Sequence, residues 1–143
     1  AEVHYLDRME SAFPLRLELR PGTRVPLHCS ASGKLFLAHL PARQCQTLLD
    51  SLPLSRHTAT TLTSRAELET ELEAIRRQDY AVDAEEFVDG LVCVAVPVRQ
   101  PGQRGVRCAV ALQAPVARMA LPQALQQLPR LRAAAAALAR TWA

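Results

Sequence analysis

The segment VPLHCSASGKLFLAHLP (residues 25–41) sets the fold of this chain, because it predicts the start of a buried helix. Serine is among the residues preferred immediately before the first turn of a helix, so Ser30 or Ser32 marks its beginning. From Leu35 to Leu40 the residues are apolar nearly all round, which is typical of a helix enclosed by other elements. Pro41 then ends this helix and can open the next one.

The same segment lacks the motifs of two common enzyme sites. A phosphate-binding loop reads G-x-x-x-x-G-K-[ST], but here a leucine follows the Gly-Lys pair and His28 stands where the first glycine is required. A nucleophile elbow reads G-x-S-x-G, and CSASG lacks its first glycine. The segment therefore argues against an enzyme. The alternative function is a small hydrolase or transferase that uses Ser32 or Cys29 as its nucleophile.

The start of this helix can either seat an anion or serve only as a cap. The first turn of a helix leaves backbone N–H groups unpaired at the positive end of the helix dipole, which suits a carboxylate or a phosphate. Gly33 allows a ligand or another part of the backbone to come close. We expect Lys34 to extend its long side chain to solvent or to a nearby carboxylate. Taken alone, the segment favours the capping role.

Composition places the chain among single-domain globular proteins. It has 143 residues, 49% of them hydrophobic, and a net charge of +3, which is too small to predict nucleic-acid binding. No apolar run approaches the roughly 20 residues of a membrane span, so we expect no membrane partner and a cytoplasmic location. The four cysteines form no C-x-x-C pair and are predicted to be reduced. A zinc set of His28, Cys29, Asp83 and Cys93 is conceivable, but no spacing requires it, so neither a metal nor a cofactor is predicted.

Periodicity and turn signals predict the remaining elements. Ser64 and Glu67 form a capping box that opens a helix over about residues 65–78. The predicted strands are the start of the segment from Val3 and residues 15–20, 91–98 and 106–113, with residues 83–90 forming an acidic loop. Helices also cover residues 42–52 and 121–142, and Pro129 should break the last helix or begin its second half. This order predicts an α+β fold in which helices flank an antiparallel sheet.

Three segments together resemble one protein family. They read GTRVPLHCSASGKLFLAHLP, TLTSRAELETELEAIRRQDYAVDAEE and GLVCVAVPV, and they occur in the order and at the distances typical of the effector-binding domain of IclR-family bacterial transcriptional regulators. The resemblance covers essentially residues 1–143. It implies a GAF-like or profilin-like domain that senses a ligand and mediates homodimer or homotetramer formation. Operator DNA would be bound only through an N-terminal winged helix-turn-helix that this chain lacks.

The resemblance also implies an effector site between the sheet and the helix that begins at SGK. Backbone N–H groups at Ala31, Ser32 and Gly33 would hold the carboxylate of a small effector. The other matching positions are Asp83, Cys93, Ala111, Gln113 and Val25, with Leu17 and Leu19 as further apolar wall. An ionised Asp83 would repel an anion, so it has to face a hydroxyl, an amine or a water, or carry a raised pKa.

Three positions qualify this resemblance. Asp79 replaces a glycine that is common before the aromatic residue in the family, which alters a helix end. Ala111 and Gln113 stand where some members carry serines, which changes the hydrogen-bonding groups offered to the effector. Glu86 is predicted to be a structural carboxylate that solvates easily in its loop.

Overall fold

The computed structural model describes residues 2–9 and 20–141 of the chain. Its elements confirm the predicted α+β class. They are β1 (Val3–His4), β2 (Arg24–Val25), α1 (Ala31–His39), α2 (Ala42–Ser51), α3 (Arg65–Gln78), β3 (Ala81–Ala84), β4 (Leu91–Val98), β5 (Cys108–Pro115), α4 (Leu121–Leu125) and α5 (Leu128–Thr141). The predicted strand at residues 15–20, with Leu17 and Leu19, lies outside the described residues.

The main sheet has the order β3-β4-β5, and both strand pairs are antiparallel. All eight residues of β4 are buried, which explains why this strand is an uninterrupted apolar run in the sequence. The register aligns Asp83 of β3 with Cys93 of β4, and Cys93 in turn with Gln113 of β5. Three polar side chains therefore form a row across the sheet.

Two layers of helices cover the two faces of this sheet. The alternation of side chains along β4 sends Cys93 and Ala95 into one core, shared with residues of α1, α2 and α3. Val94 and Val96 point into the other core, which residues of α4 and α5 complete. The polar row belongs to the first face, the one on which α1 lies. No helix in residues 2–9 and 20–141 is long and apolar enough to cross a membrane.

The start of α1 is fixed by a cap and by close backbone packing. Ser30 is the N-cap, and its Oγ accepts a hydrogen bond from the Gly33 N–H at 3.0 Å. A Cβ at Gly33 would lie 2.5 Å from the carbonyl oxygen of Pro26 and 2.6 Å from the Cα of Leu27. Glycine is therefore required at position 33, because the backbone of Pro26 and Leu27 occupies the space that a side chain would need.

Asp79 ends α3 where the family commonly has glycine. Its backbone is left-handed, with φ 59°, a conformation that aspartate tolerates better than most residues. The side chain compensates by pairing with Arg99 at 2.6 Å and His39 at 2.9 Å. Burial opposes ionisation, but the hydrogen bond and charge of Arg99 outweigh it and lower the pKa of the Asp79 carboxyl.

Two predicted boundaries differ from the structure, and a third is confirmed. The acidic loop expected at residues 83–90 begins with the strand β3, which pairs with β4 from Ala81 onward. The return strand β5 runs over Cys108–Pro115, two residues beyond the predicted range, because the loop after Pro101-Gly102 is longer than a tight hairpin turn. The range predicted for the terminal helix holds two helices, α4 and α5, and Pro129 stands at the start of the second of them, as predicted, in a first turn where proline is tolerated.

Candidate functional site

The first turn of α1 offers two backbone N–H groups that bind no other group among the described residues. The Gly33 N–H is held by Ser30 Oγ, and the Lys34 N–H donates to the Ser30 carbonyl oxygen at 3.0 Å. The N–H groups of Ala31 and Ser32 take part in no hydrogen bond with the described part of the chain. Ala31 is buried and Ser32 is half-buried, so both lie close to the core. Of the three N–H groups predicted to hold a carboxylate, those of Ala31 and Ser32 have no partner among the described residues, whereas that of Gly33 donates to Ser30 Oγ.

The polar row beneath α1 contains a buried acid, Asp83, whose pKa is raised. Asp83 is 2% exposed, and burial raises its pKa to about 6, although the Glu86 N–H, which donates to Asp83 Oδ1 at 2.7 Å, opposes the shift. Cys93 is also buried, and burial, reinforced by the charge of Asp83, raises the pKa of its thiol. The Cys93 thiol and the Gln113 amide are uncharged, so the charge of the row depends on whether Asp83 is protonated.

Gln113 ends the row with one half of its amide unpaired. Its Nε2 donates to the Tyr5 hydroxyl at 3.0 Å, which ties β5 to the segment after β1. Its Oε1 is buried and has no hydrogen-bond partner among the described residues. A buried acceptor without a donor costs free energy, typically about 1–3 kcal/mol, so a bound donor would be favoured there. Burial also raises the pKa of Tyr5, which keeps its hydroxyl protonated.

Lys34 does not reach solvent; its side chain turns inward and is 0% exposed. Its Nζ lies 2.9 Å from both carboxylate oxygens of Glu86 and 3.2 Å from Glu71 Oε1. Of the two outcomes expected for Lys34, the nearby carboxylate is therefore confirmed. The expectation that Glu86 is solvated is wrong, because this residue is 5% exposed and binds the buried ammonium.

A group of threonines holds the loop that carries Glu86, and none of them was predicted to have this role. Thr58 and Thr60 donate to the Glu85 carbonyl oxygen at 2.6 and 2.8 Å, and Thr61 donates to that of Glu86 at 2.6 Å. These bonds anchor a bend in which Glu85 has a φ of 59°. In the sequence, this role could have been recognised only from the threonine-rich stretch TATTLT, whose hydroxyls donate to backbone carbonyls of a distant loop.

The other predicted site residues divide between the core and the sheet edge. Val25 is buried in β2, opposite Val3. Ala111 is exposed on β5, opposite Ala95 and two residues from Gln113. The structure thus brings Asp83, Cys93 and Gln113 together, while Ala111 lies farther along the same face of the strand.

The environment of the two candidate nucleophiles does not support covalent catalysis. Cys29 is buried, and burial raises the pKa of its thiol to about 12, so the reactive thiolate is suppressed. Ser32 has no hydrogen bond to a basic side chain among the described residues, whereas a nucleophilic serine needs an adjacent base. The zinc set considered from the sequence is also not formed as such. Within the described residues, His28 and Cys29 gather with His57.

Two concavities lie away from the polar row. One, of about 460 Å³, runs along α2 and is lined by Leu40, Arg43, Gln44, Thr47, Leu48 and Ser51. The other, of about 210 Å³, lies beside Asp79 and α5. Their size is compatible with small ligands, but neither collects the buried polar groups that give a binding site its specificity. The start of α1 remains the better candidate because it offers two N–H donors without a partner among the described residues, and α1 packs on the face of the sheet that carries the polar row.

Comparison with known proteins identifies the family. The model of the bacterial transcriptional regulator IclR C-terminal domain matches residues 1–140. This chain belongs to the IclR family. It is 46% identical over 141 residues to the probable transcriptional regulator SauR of Cupriavidus necator, a match that covers 99% of this chain and 56% of SauR. The transcriptional repressor IclR of Escherichia coli K12 is 30% identical over 118 residues, which cover 82% of this chain and 43% of the repressor.

Solved structures of IclR proteins share the fold. The Thermotoga maritima IclR structure aligns with a TM-score of 0.87 at 30% identity and covers 98% of this chain and 57% of that chain. The inducer-binding domain of the Acinetobacter PobR transcription factor, solved as a double mutant in complex with 3-hydroxybenzoic acid, aligns with a TM-score of 0.80 at 27% identity. That alignment covers 95% of this chain and 85% of the PobR domain. The chain spans about half the length of the curated relatives it matches.

Membership of the IclR family confirms the regulator reading over the hydrolase alternative. The matched model is the C-terminal domain of a transcriptional regulator, and the relatives are regulators as well. The chemistry of Cys29 and Ser32 agrees with that conclusion, since neither residue is activated.

Proposed function

We propose that this chain is the ligand-sensing and oligomerisation domain of a DNA-binding regulator, and that it binds a small organic acid. One observation supports the proposal. Two backbone N–H groups at the start of α1 have no partner among the described residues, and α1 lies on the face of the sheet that carries the buried polar row. In the full protein, ligand binding would alter operator affinity through a separate DNA-binding segment. Such a function belongs in the cytoplasm, where the operator is.

The carboxylate of the acid would be held by backbone groups. The N–H groups of Ala31 and Ser32 point out of the first turn of α1, where the helix dipole favours negative charge. Gly33 supports the seat through its close packing, while its own N–H is taken by Ser30. Lys34 adds little net attraction, because two carboxylates already neutralise its ammonium.

The rest of the acid would need a hydrogen-bond donor. Gln113 Oε1 is a buried acceptor without a partner, and Asp83 can accept as well when ionised. A hydroxyl or an amine on the ligand would satisfy these oxygens, and the Cys93 thiol lies between them in the row. Val25 is a candidate for the apolar wall, together with Leu17 and Leu19, while Ala111 leaves space at the sheet edge.

A matched set of small molecules tests this recognition. The acid named with the PobR domain suggests 3-hydroxybenzoate as a first probe, with benzoate lacking the hydroxyl and 3-hydroxybenzamide lacking the carboxylate. A thermal-shift screen of further hydroxy acids and their amides would follow, with calorimetry on the hits. Each bound acid should lose at least tenfold in affinity, about 1.4 kcal/mol, when its carboxylate becomes an amide. Amides that bind as well as their acids would refute the proposal.

Two variants of one residue isolate the backbone contact. Ser32→Pro removes an N–H in the first turn, where proline is otherwise tolerated, and should nearly abolish binding of the acid. Ser32→Ala removes only the hydroxyl, keeps the N–H and should bind normally. Circular dichroism would establish that both variants fold. Equal affinities in the two variants would contradict a role for this N–H group.

Self-association is the second part of the proposed function. Domains of homo-oligomeric regulators commonly form closed, symmetric dimers and tetramers. We expect the chain to form a dimer or a tetramer at tens of micromolar, roughly the range in which modest interfaces are occupied. Sedimentation that finds only monomers at that concentration would contradict the oligomerisation role and leave the ligand proposal to its own test.

A further inference from the structure

A group of two histidines and a cysteine lies where the loop before α1 meets the loop after α2. His28 and Cys29 are buried next to each other, and His57 reaches them from an exposed position. One ligand atom from each of the three residues lies within 4.8 Å of the others. Two imidazoles and a thiol brought this close form the kind of ligand set that zinc prefers.

His28 is already oriented as a metal ligand would be. Its Nε2 lies 2.8 Å from the carbonyl oxygen of Ser55. A carbonyl can only accept, so Nε2 carries the proton, and the lone pair remains on Nδ1. In metal sites the second ring nitrogen of a ligating histidine usually donates to a carbonyl or a carboxylate, which fixes the ring. The loop after α2 therefore positions the ring of His28.

His57 provides the solvent-accessible side of the group. Its ring contacts the edge of Phe87 at 5.1 Å and lies 5.8 Å from the ring of His28, measured between centroids. Tetrahedral zinc with nitrogen and sulfur ligands places those atoms about 3.3–3.6 Å apart. Because His57 is exposed, a side-chain movement of about 1 Å would close the group around an ion that arrives from solvent.

We propose that His28, Cys29 and His57 bind one Zn²⁺ ion, with the fourth coordination position taken by water or by an anion. The nitrogen and sulfur donors exclude calcium and magnesium, which prefer oxygen ligands. Zinc binds the thiolate, so binding of the ion would displace the Cys29 thiol proton to solvent. Cys29 precedes the first turn of α1, so the bound ion would bring positive charge to the side of the anion seat.

The proposal is tested on the whole chain with Zn²⁺ and its spectroscopic substitute Co²⁺. After chelation and dialysis, we expect one equivalent of Co²⁺ per chain, with the absorption of a thiolate–cobalt bond. Competition with Zn²⁺ then gives the zinc affinity. Binding at other ratios, or cobalt binding without thiolate absorption, would overturn the proposal.

Variants assign the ligands and keep the test independent of folding. Cys29→Ser should remove the thiolate absorption, whereas Cys108→Ser, on the opposite face of the sheet, should retain it. His57→Ala alters an exposed residue and should lower the zinc affinity by at least about 100-fold. His4→Ala, at the distant strand β1, is its control and should leave the affinity unchanged. An unchanged zinc affinity in His57→Ala would refute this ligand set even if Cys29→Ser failed to fold.

Discussion

Removing the charge of Lys34 should destabilise the domain more than any exposed charge change. Lys34 is the only lysine of the chain, and its Nζ is buried between Glu86 and Glu71. Lys34→Met keeps an unbranched apolar side chain and removes the ammonium. Glu86, which is 5% exposed, would then keep only one contact among those described, the Ala84 N–H at 3.0 Å.

The size of the stability loss depends on which carboxylate is left buried without its positive partner. Breaking a buried ion pair by deleting one partner costs about 3–5 kcal/mol, since a buried charge loses its compensation. Glu71 is 32% exposed and can turn to water, so its contribution is minor and the lower end applies. We expect Lys34→Met to lower the free energy of unfolding by about 3 kcal/mol. At about 3 °C per kcal/mol for a chain of this size, the melting temperature falls by about 10 °C.

Urea denaturation of three variants measures this effect. Lys34→Met should lower the midpoint without changing the m-value, which depends on the surface exposed by unfolding. Adding Glu86→Gln removes the stranded charge while an amide oxygen still accepts from Ala84, and should restore most of the loss. Arg65→Met breaks an exposed pair with Asp50 and should leave the midpoint nearly unchanged. A double variant as unstable as Lys34→Met would refute the stranded-charge explanation.

The remaining predictions address the helix cap, the polar row, the anion contact and DNA binding by this chain. Gly33→Ala places a Cβ 2.6 Å from the Cα of Leu27, and urea denaturation should show a loss of about 1–3 kcal/mol that Ser32→Ala does not share. Burial raises the Asp83 pKa from 3.8 to about 6, so the free energy of unfolding of the wild type falls as pH rises through this range. Asp83→Asn should raise the free energy of unfolding by up to about 3 kcal/mol at pH 7 and by little below pH 4. Lys34→Met should weaken binding of the acid less than Ser32→Pro does, as calorimetry would show. The isolated chain should show no sequence-specific DNA binding in a mobility-shift assay at physiological salt, because a net charge of +3 releases few counterions.

Elements with a strong local signal could be predicted from the sequence. Ser30 caps α1 and Ser64 caps α3, where its Oγ accepts from the Glu67 N–H at 3.4 Å. Both capping and helical periodicity act within a few residues, so they can be recognised without knowing the fold. The apolar run of β4 was equally clear, because a strand covered on both faces needs no polar alternation.

Features that depend on distant contacts could not be predicted. Asp83 occupies a buried position of β3. Its acidic sequence resembled a loop because the partner strand β4, which makes this segment a strand, is supplied only by the tertiary structure. Lys34 and Glu86 are 52 residues apart, so no local pattern indicates that they form a buried pair. The expectation that Glu86 would be solvated followed the usual behaviour of single charges, which a matched pair overrides.

The contacts that stabilise the start of α1 also determine what it can bind. Ser30 uses one N–H of the first turn, and the pairing of Lys34 with Glu86 and Glu71 cancels the nearest positive charge. Among the described residues, the groups left without a partner are the two backbone donors at the start of α1 and the Gln113 Oε1 on the sheet. A ligand that satisfies both the N–H donors and the Gln113 oxygen carries an anionic group at one end and a hydrogen-bond donor at the other. Because close packing at Gly33 holds the donors in place before the ligand arrives, little binding energy is lost in ordering them. If the proposed site binds an acid, we therefore expect hydroxy or amino acids to bind more tightly than simple carboxylates, and the screen of acids and amides would measure this difference.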